Sequence, residues 1–262
     1  MPPKQVRARE MASQAIPPVP IGPHQTTSNA LHRIKFLGEL HRWPNFFRGI
    51  ESYIQSTRWS TKAIKYTHTS GNPEAESHLI VDEAGLQGLF NHSIGYLVGK
   101  ILEVQSIDLQ FADFRCLGSQ YAKTPDSILM TTNTATPELK MLGELKVWWI
   151  EEHDLVEAYG NESALRRLLA QPIQYMKDLN CMYGFMSNYQ QTIFLRQQFI
   201  CGKWVVDYSP VILASTSYIK TDLGDFLATP IVSLRQCFLA IAHQAQTQGP
   251  VSNLTPNWQW VM

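Results

Sequence analysis

Residues 125–146 read PDSILMTTNTATPELKMLGELK, two strand-like runs on either side of the turn-rich segment Asn133-Thr134-Ala135-Thr136-Pro137. A turn centred on Ala135 pairs position i with position 270 − i, which sets Asp126 directly across from Glu144. Opposed residues of an antiparallel pair have Cβ atoms about 5 Å apart and share a face. Side chains alternate along a strand, so Glu144 and Lys146 lie on that same face while Leu145 and Val147 turn to the apolar one. Two carboxylates and an ammonium therefore converge from neighbouring strands. Close carboxylates repel unless a cation sits between them. Ligands that are all oxygen suit Mg²⁺ or Mn²⁺ rather than zinc. Such an ion lowers the pKa of a bound water and clamps phosphate oxygens. Lys146 could then orient or deprotonate that water, or neutralise developing charge. Two other readings remain open on spacing alone: an Asp–Lys–Glu cluster on a solvated hairpin, and a metal-free hydrolase using Asp126 and Glu144 as general acid and base.

The rest of the chain supplies a frame for this pair. Leu31, Ile34, Leu37 and Leu40 predict helix within 31–60, broken at Pro44. Leu79, Leu86, Phe90, Ile94, Leu97 and Ile101 predict one long helix over 73–104, with Pro73 near its start. Strand-like runs fall at 107–116, 126–132 and 139–149, helix at 153–180, strands at 183–189, 192–199 and 203–213, and an amphipathic closing helix at 222–246. This order predicts an α/β domain, a mixed central β-sheet flanked by helices.

The 262 residues carry 22 basic and 22 acidic side chains, so the net charge is zero, which argues against a generally basic, DNA-coating protein. The zero hides an uneven distribution. Residues 1–30 carry +2, residues 31–66 carry +5 and residues 67–262 carry −7. Residues 1–30 also hold six of the 15 prolines, which predicts a disordered basic, Pro-rich tail. Residues 31–70 read as a helical basic and aromatic extension. There Arg33, Lys35, Arg42, Arg48, Arg58, Lys62 and Lys65 alternate with Phe36, Trp43, Phe46, Phe47, Tyr53, Trp59 and Tyr66. Arginine and lysine bind phosphate and aromatics stack on unpaired bases; the competing reading is an amphipathic cap whose aromatics pack inward. Residues 249–262 read as a turn-rich C-terminal tail in which Trp258 and Trp260 could dock.

No run is long and apolar enough to span a membrane, and the N-terminus lacks the apolar stretch of a secretory signal, so an intracellular protein, cytoplasmic or nuclear, is expected. Cys116, Cys181, Cys201 and Cys237 are too far apart for a zinc site and read as reduced thiols. No P-loop, Gly-x-Ser-x-Gly or Gly-x-Gly-x-x-Gly signature is present. His92, His153 and His243 show no metal-ligand spacing.

Pro125-Asp126 followed by Glu144-Leu145-Lys146 resembles the PD-(D/E)XK nuclease superfamily. Gln171-Pro172-Ile173-Gln174-Tyr175 fits the Gln-x-x-x-Tyr motif of its RecB-type branch, and residues i and i+4 share a helix face. The stretch from Gln171 to Gln197 is similar to uncharacterised fungal proteins with PD-(D/E)XK-like domains, and the likeness covers roughly residues 75–215. It implies a restriction-endonuclease-like core over 71–248 and Mg²⁺- or Mn²⁺-dependent cleavage of nucleic acid, DNA ahead of RNA. Asp126, Glu144 and a helix acid would hold the ion. Glu83, which opens a Glu-x-x-x-Gln run ending at Gln87, fits best, with Glu76 and Asp82 as alternatives. Lys146, Gln171 and Tyr175 would complete the catalytic set, although Pro172 predicts that Gln171 begins a new helix as its cap. The superfamily fold is also reused without catalysis, so a protein- or nucleic-acid-binding module is the alternative.

Overall fold

The computed structural model describes residues 4–29, 31–66, 79–134, 136–220 and 229–262. In chain order it contains β1 (Lys4–Arg7), α1 (Ala8–Ser13), β2 (Glu39–Arg42), α2 (Phe46–Ser56), β3 (Ala63–Tyr66) and α3 (Glu83–Phe90). A π-helical segment, Asn91–Tyr96, joins α3 directly to α4 (Leu97–Val104). Next come β4 (Gln110–Ala112), β5 (Ser127–Met130), β6 (Leu139–Leu145), α5 (Leu155–Tyr159), α6 (Glu162–Leu168) and α7 (Ala170–Asp178). The chain continues through β7 (Tyr183–Ser187), β8 (Gln191–Ile200), β9 (Lys203–Tyr208), β10 (Ile212–Leu213), α8 (Leu234–Gln246) and α9 (Asn257–Trp260).

The architecture is α/β, with a mixed eight-stranded sheet in the order β2-β9-β8-β7-β6-β5-β4 and β10 beside β8. Strands β4, β5 and β6 form an antiparallel meander; β6 then pairs in parallel with β7 after the crossover through α5, α6 and α7. Alternation splits the core into two layers. Leu129, Met141 and Leu145 face a layer built from α1, α2, α3, α4 and α8, whereas Ile128, Met130 and Leu142 face α5, α6 and α7. Gly143 permits the closest approach in the first layer. A Cβ there would lie 1.9 Å from the Phe185 ring, which instead stacks on Phe90 of α3 at 5.4 Å. That contact fixes where α3 meets β6.

The register across β5 and β6 pairs Ser127 with Gly143, Ile128 with Leu142 and Leu129 with Met141, each summing to 270 as a turn centred on Ala135 requires. Beyond Leu129 a bulge shifts Met130 onto Leu139.

Several boundaries differ from the sequence reading. Residues 4–29 are not a disordered tail. β1 pairs with β3, and Val6, Ala8, Met11, Ala12, Ile16 and Val19 are core residues. The prolines suit an extended strap, whose Ile16, Gly22 and Thr26 amides donate to Ala214, Ile80 and Val81 carbonyls. Sparse apolar residues suffice because most of them, Ile21 excepted, face inward. The helix expected from Leu31 to Leu40 is absent. Phe36 forms a bridge with Val261, and β2 adds to β9, so backbone partners distant in sequence override a three-residue spacing. The long helix begins only at Glu83, because Asp82 caps it by accepting from the Gly85 amide at 2.8 Å. Ile80 is meanwhile held by the strap, and residues 73–78 of the expected helix lie outside the described residues. The 107–116 run shortens to β4, and β6 ends at Leu145. The closing helix is confined to α8 by a Ser233/Gln236 capping box, with 221–228 outside the described residues. The C-terminal tail packs: Trp260 is 1 % exposed and meets Phe36 edge-to-face at 4.9 Å, while Trp258 stays exposed. The described residues of the 31–70 and 249–262 segments thus pack into the same two core layers as those of 71–248.

Truncating Met11 or Trp260 to alanine is expected to cost about 2–5 kcal/mol of unfolding free energy, read by urea titration. A change below about 0.5 kcal/mol would mark the segment concerned as unpacked.

Candidate active site

The pairing that aligns Ser127 with Gly143 places Asp126 at the mouth of β5, beside the end of β6. The Asp126 amide donates to the Gly143 carbonyl at 3.1 Å, and its carboxylate accepts from the Leu145 amide at 2.8 Å. Glu144 is 2 % exposed and Lys146 3 % exposed, so both charges are withdrawn from water. The Lys146 Nζ lies 2.9 Å from Glu144 Oε1 and 3.2 Å from Glu83 Oε1. Two elements therefore meet at the Lys146 ammonium: β6, through Glu144, and the first turn of α3, through Glu83.

Of the two candidate helix acids within the described residues, Glu83 is the one that reaches Lys146. Asp82 is engaged as the N-cap, and Glu76 lies outside the described residues. Gln171 does not cap a helix. α7 starts at Ala170 after Leu169, with Gln171 in its first turn, freeing its side chain to donate to the Tyr175 hydroxyl at 2.8 Å. Both lie on the Glu144 side of the sheet, where burial and then the Glu144 carboxylate push the Tyr175 phenol up to about 12.

The electrostatics are strained. Burial, partly offset by the Leu145 amide and Lys146, pushes Asp126 from its ordinary 3.8 up to about 6. Burial and then the nearby Asp126 push Glu144 from 4.5 up to about 8. Burial opposes the charge of Lys146, but the surrounding carboxylates outweigh it and raise its pKa, so it remains an ammonium. The second Glu144 oxygen, Oε2, is buried with no hydrogen-bond partner.

A divalent ion at this place would have Asp126 and Glu144 as its protein carboxylates, without Glu83. Among the described residues, no group of three or more His, Cys, Asp and Glu stands ready to hold a metal. The expected three-acid set of Asp126, Glu144 and Glu83 is corrected on this point, because the Lys146 ammonium is inserted between Glu83 and Glu144. Mg²⁺ commonly takes one or two carboxylates and completes its shell with water and substrate phosphate. The unpartnered Glu144 Oε2, facing a neighbour that repels it, is the acceptor such an ion would satisfy.

The basic residues of the N-terminal third are not gathered here. Arg42 lies on β2, four strands and about 19 Å from β6, with its guanidinium over the Tyr159 ring at 5.5 Å. Lys35 bonds the Ser163 hydroxyl at 3.2 Å, and Arg33 precedes it on the same exposed segment. Arg48 lies on α2. The Arg58 carbonyl accepts from Gln105, which lies 22 residues along the helix from Glu83, about 33 Å away; Lys62 precedes β3 and Lys65 lies on it. The aromatics between them pack inward: Trp43 on Phe46 at 5.2 Å, Phe46 on Phe194 at 5.9 Å and Tyr53 on His243 at 4.9 Å.

Some supporting residues carry little signal in the sequence. Gln87 donates to the Asp126 main-chain carbonyl, joining α3 to the strand carrying the acid. Its position one turn after Glu83 is the only sequence hint. His153 is fully buried, with Nδ1 2.8 Å from the Val147 carbonyl and Nε2 against that of Asn29. Trp149 donates from Nε1 to the Thr26 carbonyl at 2.9 Å, and Trp148 packs on Tyr189 at 5.9 Å, so both tryptophans are scaffolding.

Comparison with protein-family models, curated proteins and solved structures finds no match to this chain.

The folded protein holds protons on Asp126 and Glu144 that the unfolded chain releases, so these groups make stability fall as pH rises from about 4 through about 8. Glu144→Gln removes the Glu144 share of that dependence but also one partner of Lys146. Its melting temperature relative to the parent's is therefore expected to rise between pH 4.5 and pH 9, by about 2–4 °C per kcal/mol. A difference independent of pH would refute the assignment.

Proposed function

We propose that this chain is a divalent-metal-dependent nuclease of the PD-(D/E)XK type that hydrolyses phosphodiester bonds, in DNA ahead of RNA. The observation carrying the proposal is the buried Glu144–Lys146 pair at the end of β6, beside Asp126 and closed by Glu83. Charged side chains this deep are costly to fold around. Their placement at one strand end, with an unpartnered acid oxygen, fits a site built for chemistry. The element order also supports a restriction-endonuclease-like core: a long helix, an antiparallel three-strand meander, a helical crossover and a parallel fourth strand.

Asp126 and Glu144 would hold Mg²⁺ or Mn²⁺. When bound, such an ion supplies a more acidic water and charge neutralisation at phosphate oxygens. Lys146, held protonated by its carboxylate neighbours, orients the attacking water and offsets negative charge on the scissile phosphate. Glu83 keeps that ammonium aimed from the α3 side, and Gln171 with Tyr175 lines the α7 side.

A second reading, a nuclease-fold module that binds without cleaving, is favoured by two observations: the occupation of the Glu83–Glu144 gap by Lys146, and the scatter of the basic residues. Cleavage of supercoiled plasmid and of single- and double-stranded DNA and RNA oligonucleotides, with Mg²⁺ or Mn²⁺, separates the two. Metal-dependent cleavage is expected, falling 100-fold or more in Asp126→Ala and Lys146→Ala. Cleavage that survives both substitutions refutes the residue assignment. No cleavage, together with no heat of binding on titration with millimolar Mg²⁺ or Mn²⁺, favours the module.

A further inference from the structure

The sheet edge opposite β2 is open. β4 pairs with β5 on one side, and among the described residues no strand lies on the other. An edge strand turns alternate N–H and C=O groups outward, ready to pair. Alongside it run the π-helical segment and α4. At Gly95 helix and strand touch, since a Cβ there would lie 3.3 Å from the Phe111 Cβ. One turn further, a Cβ at Gly99 would have nothing within 4 Å. The elements diverge between these points and leave a groove of about 650 Å³ lined by Tyr96, Gly99, Lys100, Glu103, Asp108 and Phe111, among others. Tyr96 stands at its rim, 48 % exposed. A space of this size beside a terminal strand suits a chain segment that adds a strand and sinks alternate side chains inward.

Charge selects the occupant. The lining holds one cation, Lys100, and three carboxylates, Glu103, Asp108 and Asp113; Lys100 is already bonded to Glu103 at 2.8 Å. The net −2 repels a phosphate backbone, and it repels the same edge of a second copy. The stretches of this chain outside the described residues are also mismatched. Residues 67–78 carry Glu74 and Glu76, residues 221–228 carry Asp222 and Asp225, and neither has a lysine or arginine. We propose that β4 and α4 form a docking groove for an extended basic peptide of a partner protein. The peptide pairs with β4, sets an apolar side chain over Gly99 and turns lysine or arginine toward the acidic rim. Asp126, Glu144 and Lys146 are not among the groove's lining residues, so this inference does not rest on cleavage.

The probe is a library of fluorescein-labelled seven-residue peptides with lysine or arginine at odd positions and varied apolar residues at even ones, titrated onto the full chain by anisotropy. Saturable binders are expected, weakening tenfold or more in 0.5 M NaCl. Versions with glutamate at the basic positions should not bind. Hydrogen exchange at residues 110–112 should slow in the complex. Gly99→Leu fills the open space and improves helix propensity, so it should melt at or above the parent temperature while losing at least tenfold in affinity. A library with no binder, equal binding of the glutamate versions, protection confined to another element, or unchanged affinity in Gly99→Leu each overturns the proposal.

Discussion

One ammonium organises the centre of this molecule. Lys146 Nζ is withdrawn from water and held between Glu144 on its own strand and Glu83 on α3. Removing one partner from such a group leaves uncompensated buried charge, a defect worth several kcal/mol, so β6 and α3 are bound to one relative position. Gly143 makes that position reachable. Without a Cβ it lets Phe185 lie against β6 and stack on Phe90, bringing the first turn of α3 to the strand end. Gln87 adds a tie from the same helix to the Asp126 carbonyl. Apolar packing on one side of the sheet thus delivers a carboxylate to the polar cluster at its end.

The cluster works against stability. Asp126 and Glu144 both sit above their ordinary pKa, and Glu144 Oε2 is unpartnered. A fold selected for stability alone would replace such groups with apolar ones. Their burden is borne by well-satisfied structure nearby. The N-terminal strap bonds Ile80 and Val81 just before α3 and receives Trp149; through Asn29 it also meets His153, whose other nitrogen meets the carbonyl of Val147. A segment poor in apolar residues thereby braces both elements that carry the site.

The neutral total charge resolves differently in three dimensions than along the chain. The acidic body holds the carboxylate cluster and the groove beside β4. The basic segment 31–66 is spread from the β2 edge to the far end of α4, with Phe36 and Phe46 in the core. Any grip on a polyanion would come from several separated contacts, not from one basic stripe.

The sequence by itself determined what depends on short-range geometry. The 125–146 stretch contains its own turn and two runs of alternating side chains, so the register and the shared face of Asp126, Glu144 and Lys146 follow from period and spacing. The α/β class follows from the succession of helical and strand periods. Only the tertiary structure decided what depends on partners distant in the chain. The strap became ordered because Ile80, Val81 and Ala214 supplied its hydrogen bonds. The Leu31–Leu40 run became extended because the C-terminus and β9 offered backbone pairs. Glu83 was separated from Asp82 by a cap, and Lys146 took the space between Glu83 and Glu144 because α3 packs against Phe185. A local pattern records which face a side chain takes; which group it meets there is set by packing between elements far apart in sequence.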